Sequence, residues 1–256
     1  MIIKDAVIPF HPKDVHTLNM CCESLKNVLN VERIFLISSF NPNINGTIFI
    51  DENKITNLIT IKKITEIWNT HNSNLSFRGG WIYQQILKLG TPEIIEDIAD
   101  DYLVCDSDII FLKNYYVDAP SEMFIYDKAF TGEYHIPYRE NYKRLMKESP
   151  QASISFINHH MVLNKKFLKE LKETIQEKNN KTWDVAIVDN LNFNEKSDFA
   201  SDDLYGNWMI GHHPDKCVNI PIKMLDIIKV PSSSDLLELK NQGYDIVSSQ
   251  VYRRLY

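Results

Sequence analysis

The chain is short of positive charge. It has 28 Lys and Arg against 34 Asp and Glu, a formal net charge of −6, and that balance argues against general binding to nucleic acid or to an anionic membrane surface, both of which need a positive field. Cysteine is scarce too: Cys21, Cys22, Cys105 and Cys217 are the only four in 256 residues. They show neither metal-type repeats nor the even framework of a disulfide-rich secreted domain, and they read as reduced, buried thiols. An uninterrupted apolar start is missing, because "MIIKDAVIPFHPKD" meets charge at Lys4 and Asp5 and proline at Pro9. A signal peptide or transmembrane segment is therefore not expected, and the expected location is the cytoplasm of a bacterium or of a virus-infected host cell. Glycine is rare, with eight residues. The Gly-rich first loop that cradles a triphosphate in many nucleotidyltransferases is absent. There is no internal repeat, low-complexity tract or linker.

What the chain does have is 44% hydrophobic residues, enough for a sizeable core, and one domain over 1–256 is expected. "AVIPF" (6–10) predicts a first strand. Val15, Leu18, Cys22, Leu25 and Leu29, at spacings of three and four, predict a helix face, and "RIFLIS" (33–38) predicts a second strand. Strand, helix, strand implies an α/β fold with a parallel sheet. After a stretch of mixed tendency (47–68), "FRGGWIYQQILKLG" predicts a helix entered through Gly79 and Gly80, with Trp81 in the core. A buried strand is expected in "VCDSDIIFL" (104–112), another at 122–127, and one in "ISFINHHMVL" (154–163). Helices are expected in "YRENYKRLMKE", "KKFLKELKETIQEK", "TWDVAIVDNL", "SDDLYGNWMIG" and near 233–241, with strands in "KCVNIPI" and "YDIVSS".

Two carboxylates inside a buried strand need partners. In an extended chain residues i and i+2 face the same way, so Asp106 and Asp108 converge while Ser107 turns aside; two hard oxygen ligands suit a divalent cation, and a cation so held can grip a phosphate. Arg78, before two glycines at a helix start, offers a guanidinium beside free backbone N–H groups, an arrangement suited to a diphosphate or to Asp106. Of His159 and His160, neighbours in a strand-like run, one side chain must face each way, one into the core and one toward the site; His160 is taken as the one that faces the site. Ser201 is expected to cap a helix whose first turn holds Asp202 and Asp203, where acids suit the helix dipole without any catalytic purpose and where one of them can also act as a general base. His212 and His213, in "GHHP", either end that helix or ligate a metal.

The order of these blocks, "VIPFHPKD", "FRGGW", "CDSD", "FINHHMVL", "SDDLYGNW" and "GHHP", resembles the GT-A class of nucleotide-sugar glycosyltransferases, and in particular its little-characterised bacterial and viral members. The resemblance implies a Rossmann-like α/β fold, with a mixed, mostly parallel central sheet flanked by helices. It implies a nucleotide-binding half over 1–112 and an acceptor-binding half over 113–256. It places Pro9, Phe10 and His11 against the nucleoside, and puts Mn²⁺ or Mg²⁺ on Asp106 and Asp108, with a third ligand from His212 or His213. The donor would be a nucleoside-diphosphate sugar and the acceptor a hydroxyl of a glycan or glycoconjugate. Asp203 or Asp202 would be the base, and inversion is favoured. The rival readings are a phosphohydrolase of the haloacid dehalogenase type, which also pairs a D-x-D with a later acid pair, and a non-catalytic sugar-binding α/β module.

Overall fold

A computed structural model describes residues 1–117, 119–127 and 135–250. The chain opens with β1 (Asp5–Pro9), α1 (Val15–Asn27), β2 (Arg33–Ser38) and β3 (Ile48–Asp51), then α2 (Ile61–Asn72), α3 (Gly79–Leu89) and the short α4 (Thr91–Ile94). Next come β4 (Asp101–Cys105), β5 (Ile109–Phe111), β6 (Phe124–Tyr126), α5 (Ile136–Met146), β7 (His160–Asn164), α6 (Lys165–Asn179), α7 (Trp183–Asp189) and α8 (Ser201–His212). The last elements are β8 (Cys217–Asn219), β9 (Met224–Ile227), α9 (Ser233–Asn241) and β10 (Ile246–Ser249).

The central sheet has the order β3-β2-β1-β4-β7. β1 is parallel to β2 and β4, β2 is parallel to β3, and β7 runs antiparallel to β4. Successive strand residues alternate between two cores, as a period of two demands. Val7, Phe35, Ile37, Tyr102 and Val104 join the core built with α2, α3 and α5 to α8, whereas Ala6, Ile8, Ile34, Leu36, Leu103 and Cys105 join the one built with α1. Cover on both faces is why these strands read as continuous apolar runs. The expected α/β class, a mixed and mostly parallel sheet flanked by helices, is the one observed. Two smaller sheets, β5-β10-β9 and β6-β8, complete the strands. Among the described residues, no helix is long and apolar enough to cross a membrane.

Three local expectations need correction. The stretch 104–112 is not one strand: β4 ends at Cys105 in the central sheet, β5 begins at Ile109 in another, and Asp106 to Asp108 form the turn between them. The carboxylates thus end a core strand instead of interrupting one. Within 154–163, only the part from His160 onward is strand, and His159 has a left-handed backbone (φ 62°) that no strand accommodates. Residue Ala200, not Ser201, is the N-cap of α8, and Ser201 lies in the first turn with its hydroxyl on Gln85 Oε1 (2.8 Å).

α8 packs closely through Gly206, where an added Cβ would stand 2.3 Å from Phe156 Cγ. Phe156 has little room to withdraw, since its ring packs on Phe124 and Tyr126 at centroid distances of 5.7 and 6.0 Å. Gly206→Ala should therefore destabilise the protein by about 1–2 kcal/mol, the overpacking cost exceeding the helix-propensity gain of about 1 kcal/mol. Urea denaturation measures the balance, and a gain in stability would contradict this packing.

Candidate functional site

The chain adds β2 and β3 on one side of β1 and then returns to add β4 on the other. The carboxyl ends of β1 and β4 therefore flank a topological switch point, the crevice in which open α/β sheets bind ligands. Pro9, Phe10 and His11 follow β1 there, and Asp106, Ser107 and Asp108 follow β4. Three ties fix the second turn: Thr17 Oγ1 donates to Ser107 O (3.2 Å), Ser249 N to Asp108 O (2.8 Å), and Asp106 N to His159 O (2.8 Å). Ser107 is buried while Asp106 and Asp108 are partly exposed, an arrangement set by the turn and not by strand alternation.

Asp106 is paired twice. Lys88 Nζ lies 2.8 Å from Oδ1 and His159 Nδ1 lies 3.1 Å from Oδ2. Burial works against the Asp106 charge, but Lys88 and His159 outweigh it and hold the carboxyl below the usual carboxylate range. Lys88 is only 2% exposed. Burial opposes its charge as well, yet Asp106 and Asp202 together hold the ammonium above the ordinary lysine value. His159 follows the same logic: burial is overcome by Asp106, then by Asp108 and Asp226, and its imidazole is shifted toward the charged form. Asp108 is the exception. Burial, and next the Asp106 charge, push it up to about 7, with Asp14 adding to the repulsion. Its Oδ1 is buried with no hydrogen-bond partner among the described residues, as is Gln250 Oε1 on the other side of His159; Gln250 Nε2 and His159 Nε2 are 3.4 Å apart.

The second acid pair is buried at the start of α8. Gln85 Oε1 accepts from Ser201 N (3.1 Å), and the single Ser201 hydroxyl proton is shared between Gln85 Oε1 (2.8 Å) and Asp202 Oδ1 (3.1 Å). Asp203 Oδ1 accepts from Phe156 N (3.4 Å), and burial pushes the Asp203 carboxyl up to about 6. Gln85 and Lys88 are three residues apart on one face of α3, so a single helix holds both acid pairs, Asp202 and Asp106, in register.

The other expected residues are placed differently. Phe10 is buried and Pro9 O accepts from Gln84 Nε2 (2.8 Å), whereas His11 is exposed. Arg78 donates to Ser197 Oγ (3.2 Å) and lies over Trp81, and the cation against Asp106 is Lys88 instead. The N–H of Gly79 is already donated to Ser76 O, so the start of α3 is less open than the two glycines suggest. The roles of the histidines are the reverse of those expected: His160 is 2% exposed in the core, bonded to Tyr115 Oη and Asn158 O, with burial lowering its value to about 4, and His159 is the one facing Asp106. His212 and His213 end α8 against Glu148 (3.4 Å) and Glu170 (3.0 Å). Lys88, Asp14 and Gln250 were missed by sequence reasoning, and His159 was named there only as the partner of His160 that turns the other way. The one signal available was a lysine inside the apolar run "ILKLG".

Among the described residues, no three His, Cys, Asp or Glu side chains are grouped so as to hold a metal ion by themselves. The residues nevertheless fit Mn²⁺ or Mg²⁺ shared with a phosphate, because such ions are commonly held by one or two carboxylates plus the substrate's oxygens. The orphaned Asp108 Oδ1 is the observation that fits. A carboxyl whose folded value, about 7 for Asp108, exceeds its unfolded value of about 3.9 binds its proton better in the folded state. Its contribution is complete below the unfolded value and is lost as pH rises through the folded one. In chelator-treated protein, Asp108→Asn should thus add on the order of 1 kcal/mol at pH 8 and nothing at pH 4. Mn²⁺ should stabilise the parent at pH 8 but not the variant. Urea melts in both buffers check this, and equal stabilisation by Mn²⁺ would remove Asp108 from the metal site.

No curated protein matches the chain. Among solved structures it is similar to the galactosyltransferase LgtC in complex with donor and acceptor sugar analogs, at 10% identity and a TM-score of 0.47 over 96% of this chain and 86% of that one. It is also similar to mouse xyloside xylosyltransferase 1 (12% identity, TM-score 0.45, 96% and 97% coverage) and to the glycosyltransferase GlyE of Streptococcus pneumoniae TIGR4 (12%, 0.42, 86% and 45%). At these scores the likeness bears on neither substrate nor reaction. Residues 11–219 match the family described as "Family of unknown function (DUF6492)", and with most of its length covered the chain belongs to that family.

Proposed function

We propose that the protein is a metal-dependent glycosyltransferase of the GT-A class, moving a sugar from a nucleoside-diphosphate sugar to an acceptor hydroxyl of a glycan or glycoconjugate. The observation that carries this reading is the placement of Asp106 and Asp108 at the switch point, with Asp108 Oδ1 buried and without a hydrogen-bond partner among the described residues. That is where an open α/β sheet takes its ligand, and it is where a shared cation would neutralise a carboxylate that otherwise repels its neighbour.

Residues 1–112 form the nucleotide-binding half in this reading and 113–256 the acceptor half. His11, the exposed member of its triplet, faces the nucleoside. Asp106 and Asp108 hold Mn²⁺ or Mg²⁺, which when bound supplies Lewis-acid charge to a departing diphosphate. Lys88 keeps Asp106 ionised and aimed. Asp203, with its carboxyl at about 6, is mostly ionised at neutral pH yet still basic, the condition for a general base that takes the proton of the attacking hydroxyl. Attack opposite the leaving group inverts the anomeric centre. Asp202, tied to Ser201 and close to Lys88, is the positioning member of the pair.

Thermal shifts with UDP-, GDP-, dTDP- and CMP-sugars, with and without Mn²⁺, should identify the donor. Asp108→Ala should abolish the Mn²⁺-dependent part, and an undiminished shift would sink the assignment. With that donor, turnover should rise with pH through about 6, where Asp203 loses its proton. Asp203→Asn should lose about 10²- to 10⁴-fold in rate together with that acid limb, while donor binding persists. A variant that keeps both rate and limb places the base elsewhere. Proton NMR of the product tests inversion.

A further inference from the structure

The helix that holds both acid pairs also carries, one turn before Gln85, a tryptophan that the core does not swallow. Trp81 is partly exposed, and its ring lies nearly parallel to that of Tyr138 on α5, with centroids 6.2 Å apart and an interplanar angle of 22°. Tyr138 is partly exposed as well. Side chains from neighbouring segments hold the two rings in place: the Arg78 guanidinium sits over the Trp81 ring, 4.5 Å from its centroid, and donates to Ser197 Oγ. His135, whose ring centroid is 4.3 Å from that of Tyr138, donates through Nε2 to Ser197 O (2.8 Å). In sequence the group is flanked by Phe77 and Ile136, which are 68% and 63% exposed.

Trp81, Gln85 and Lys88 occupy positions i, i+4 and i+7 of α3 and so form one stripe. At a rise of 1.5 Å per residue the stripe runs about 10 Å from the rings to the ammonium at Asp106, and Gln85, in the middle, grips Ser201 at the start of the α8 acid pair. Aromatic rings therefore lie on one side of Asp202 and Asp203, and the D-x-D turn lies on the other. His135 acts on the Asp203 charge, and both acids act on the Tyr138 phenol, which accords with that order.

We propose that Trp81 and Tyr138 form a shelf that receives a neutral pyranose ring, the acceptor saccharide. The word acceptor rests on the glycosyltransferase reading; the shelf itself does not. A pyranose presents an apolar face of C–H groups and a rim of hydroxyls, which is the complement of partly exposed, nearly parallel aromatic rings with carboxylates and a histidine beside them. A nucleobase stacked here would send its phosphates past Asp202 and Asp203, like charge against like charge, whereas a sugar hydroxyl can donate to them.

The test uses the full chain and saturation-transfer-difference NMR with the methyl glycosides of glucose, galactose, mannose and N-acetylglucosamine, with uridine and guanosine as nucleoside probes. At least one glycoside should show saturation of its ring C–H protons. Trp81→Ala and Tyr138→Ala should each weaken its binding by about tenfold or more, and Trp81→Phe should retain most of it. If Trp81→Ala does not fold, Tyr138→Ala on α5 decides. No glycoside signal from the parent overturns the proposal. So do glycoside signals equal in parent and variants, and a shelf-dependent signal confined to the nucleosides. The parent's response to nucleotide sugars with Mn²⁺ separates the two readings: glycosides bound through Trp81 without any donor response keep the shelf and sink the transferase, and a donor response without glycoside binding does the reverse.

Discussion

The arrangement depends on one buried positive charge. Lys88 Nζ is almost wholly removed from water, with a side-chain exposure of 3%, and such a charge is tolerable only when opposite charges are close. Asp106 at the end of β4 and Asp202 at the start of α8 provide them. The same ammonium makes it possible to have two acid pairs near one crevice in a chain that is already acidic overall. Without a cation on α3 the carboxylates would repel one another, and the hydrogen bonds that fix the turn and the helix start would have to hold them against that repulsion.

Compensation at the site is deliberately uneven. Asp106 is satisfied by Lys88 and His159, while Asp108, two residues on, has burial and a neighbouring negative charge to contend with. An environment that drives two carboxyls apart in this way assigns them different roles. The left-handed backbone of His159 is part of the same design. It turns that imidazole toward Asp106 just before the chain enters β7, and His160, the next residue, goes into the core. Strain of this kind persists where the surroundings over-determine it.

Most elements were legible because their periodicity is strong. β1, β2, α1, α6 and α9 lie close to where alternation, three–four spacing or turn residues put them. β9 was not foreseen, since Met224–Ile227 is a half-exposed edge strand without clean alternation. The break of 104–112 into two strands was not foreseen either, because "VCDSDIIFL" has the same apolar residues whether the chain runs straight or changes sheets. At the site, the acid pairs were visible as pairs, but the identity of their partner was not. A lysine among apolar residues reads as a flaw in a helix face until the carboxyl end of β4 shows what it meets. Strand parity said that the two histidines must diverge, and it could not say which way, since the strand begins only at the second of them. Trp81 was read as core from its type, while its place on the helix leaves it partly open.

The turn that carries Asp106 and Asp108 leaves the central sheet and enters a strand whose partner, β10, is contributed by residues 246–249. During synthesis the five-stranded sheet can be complete once β7 has emerged, but this turn stays unclosed until residues 246–249 have followed. A chain that has not yet reached residue 249 would therefore carry the central sheet without the partner strand that closes the crevice.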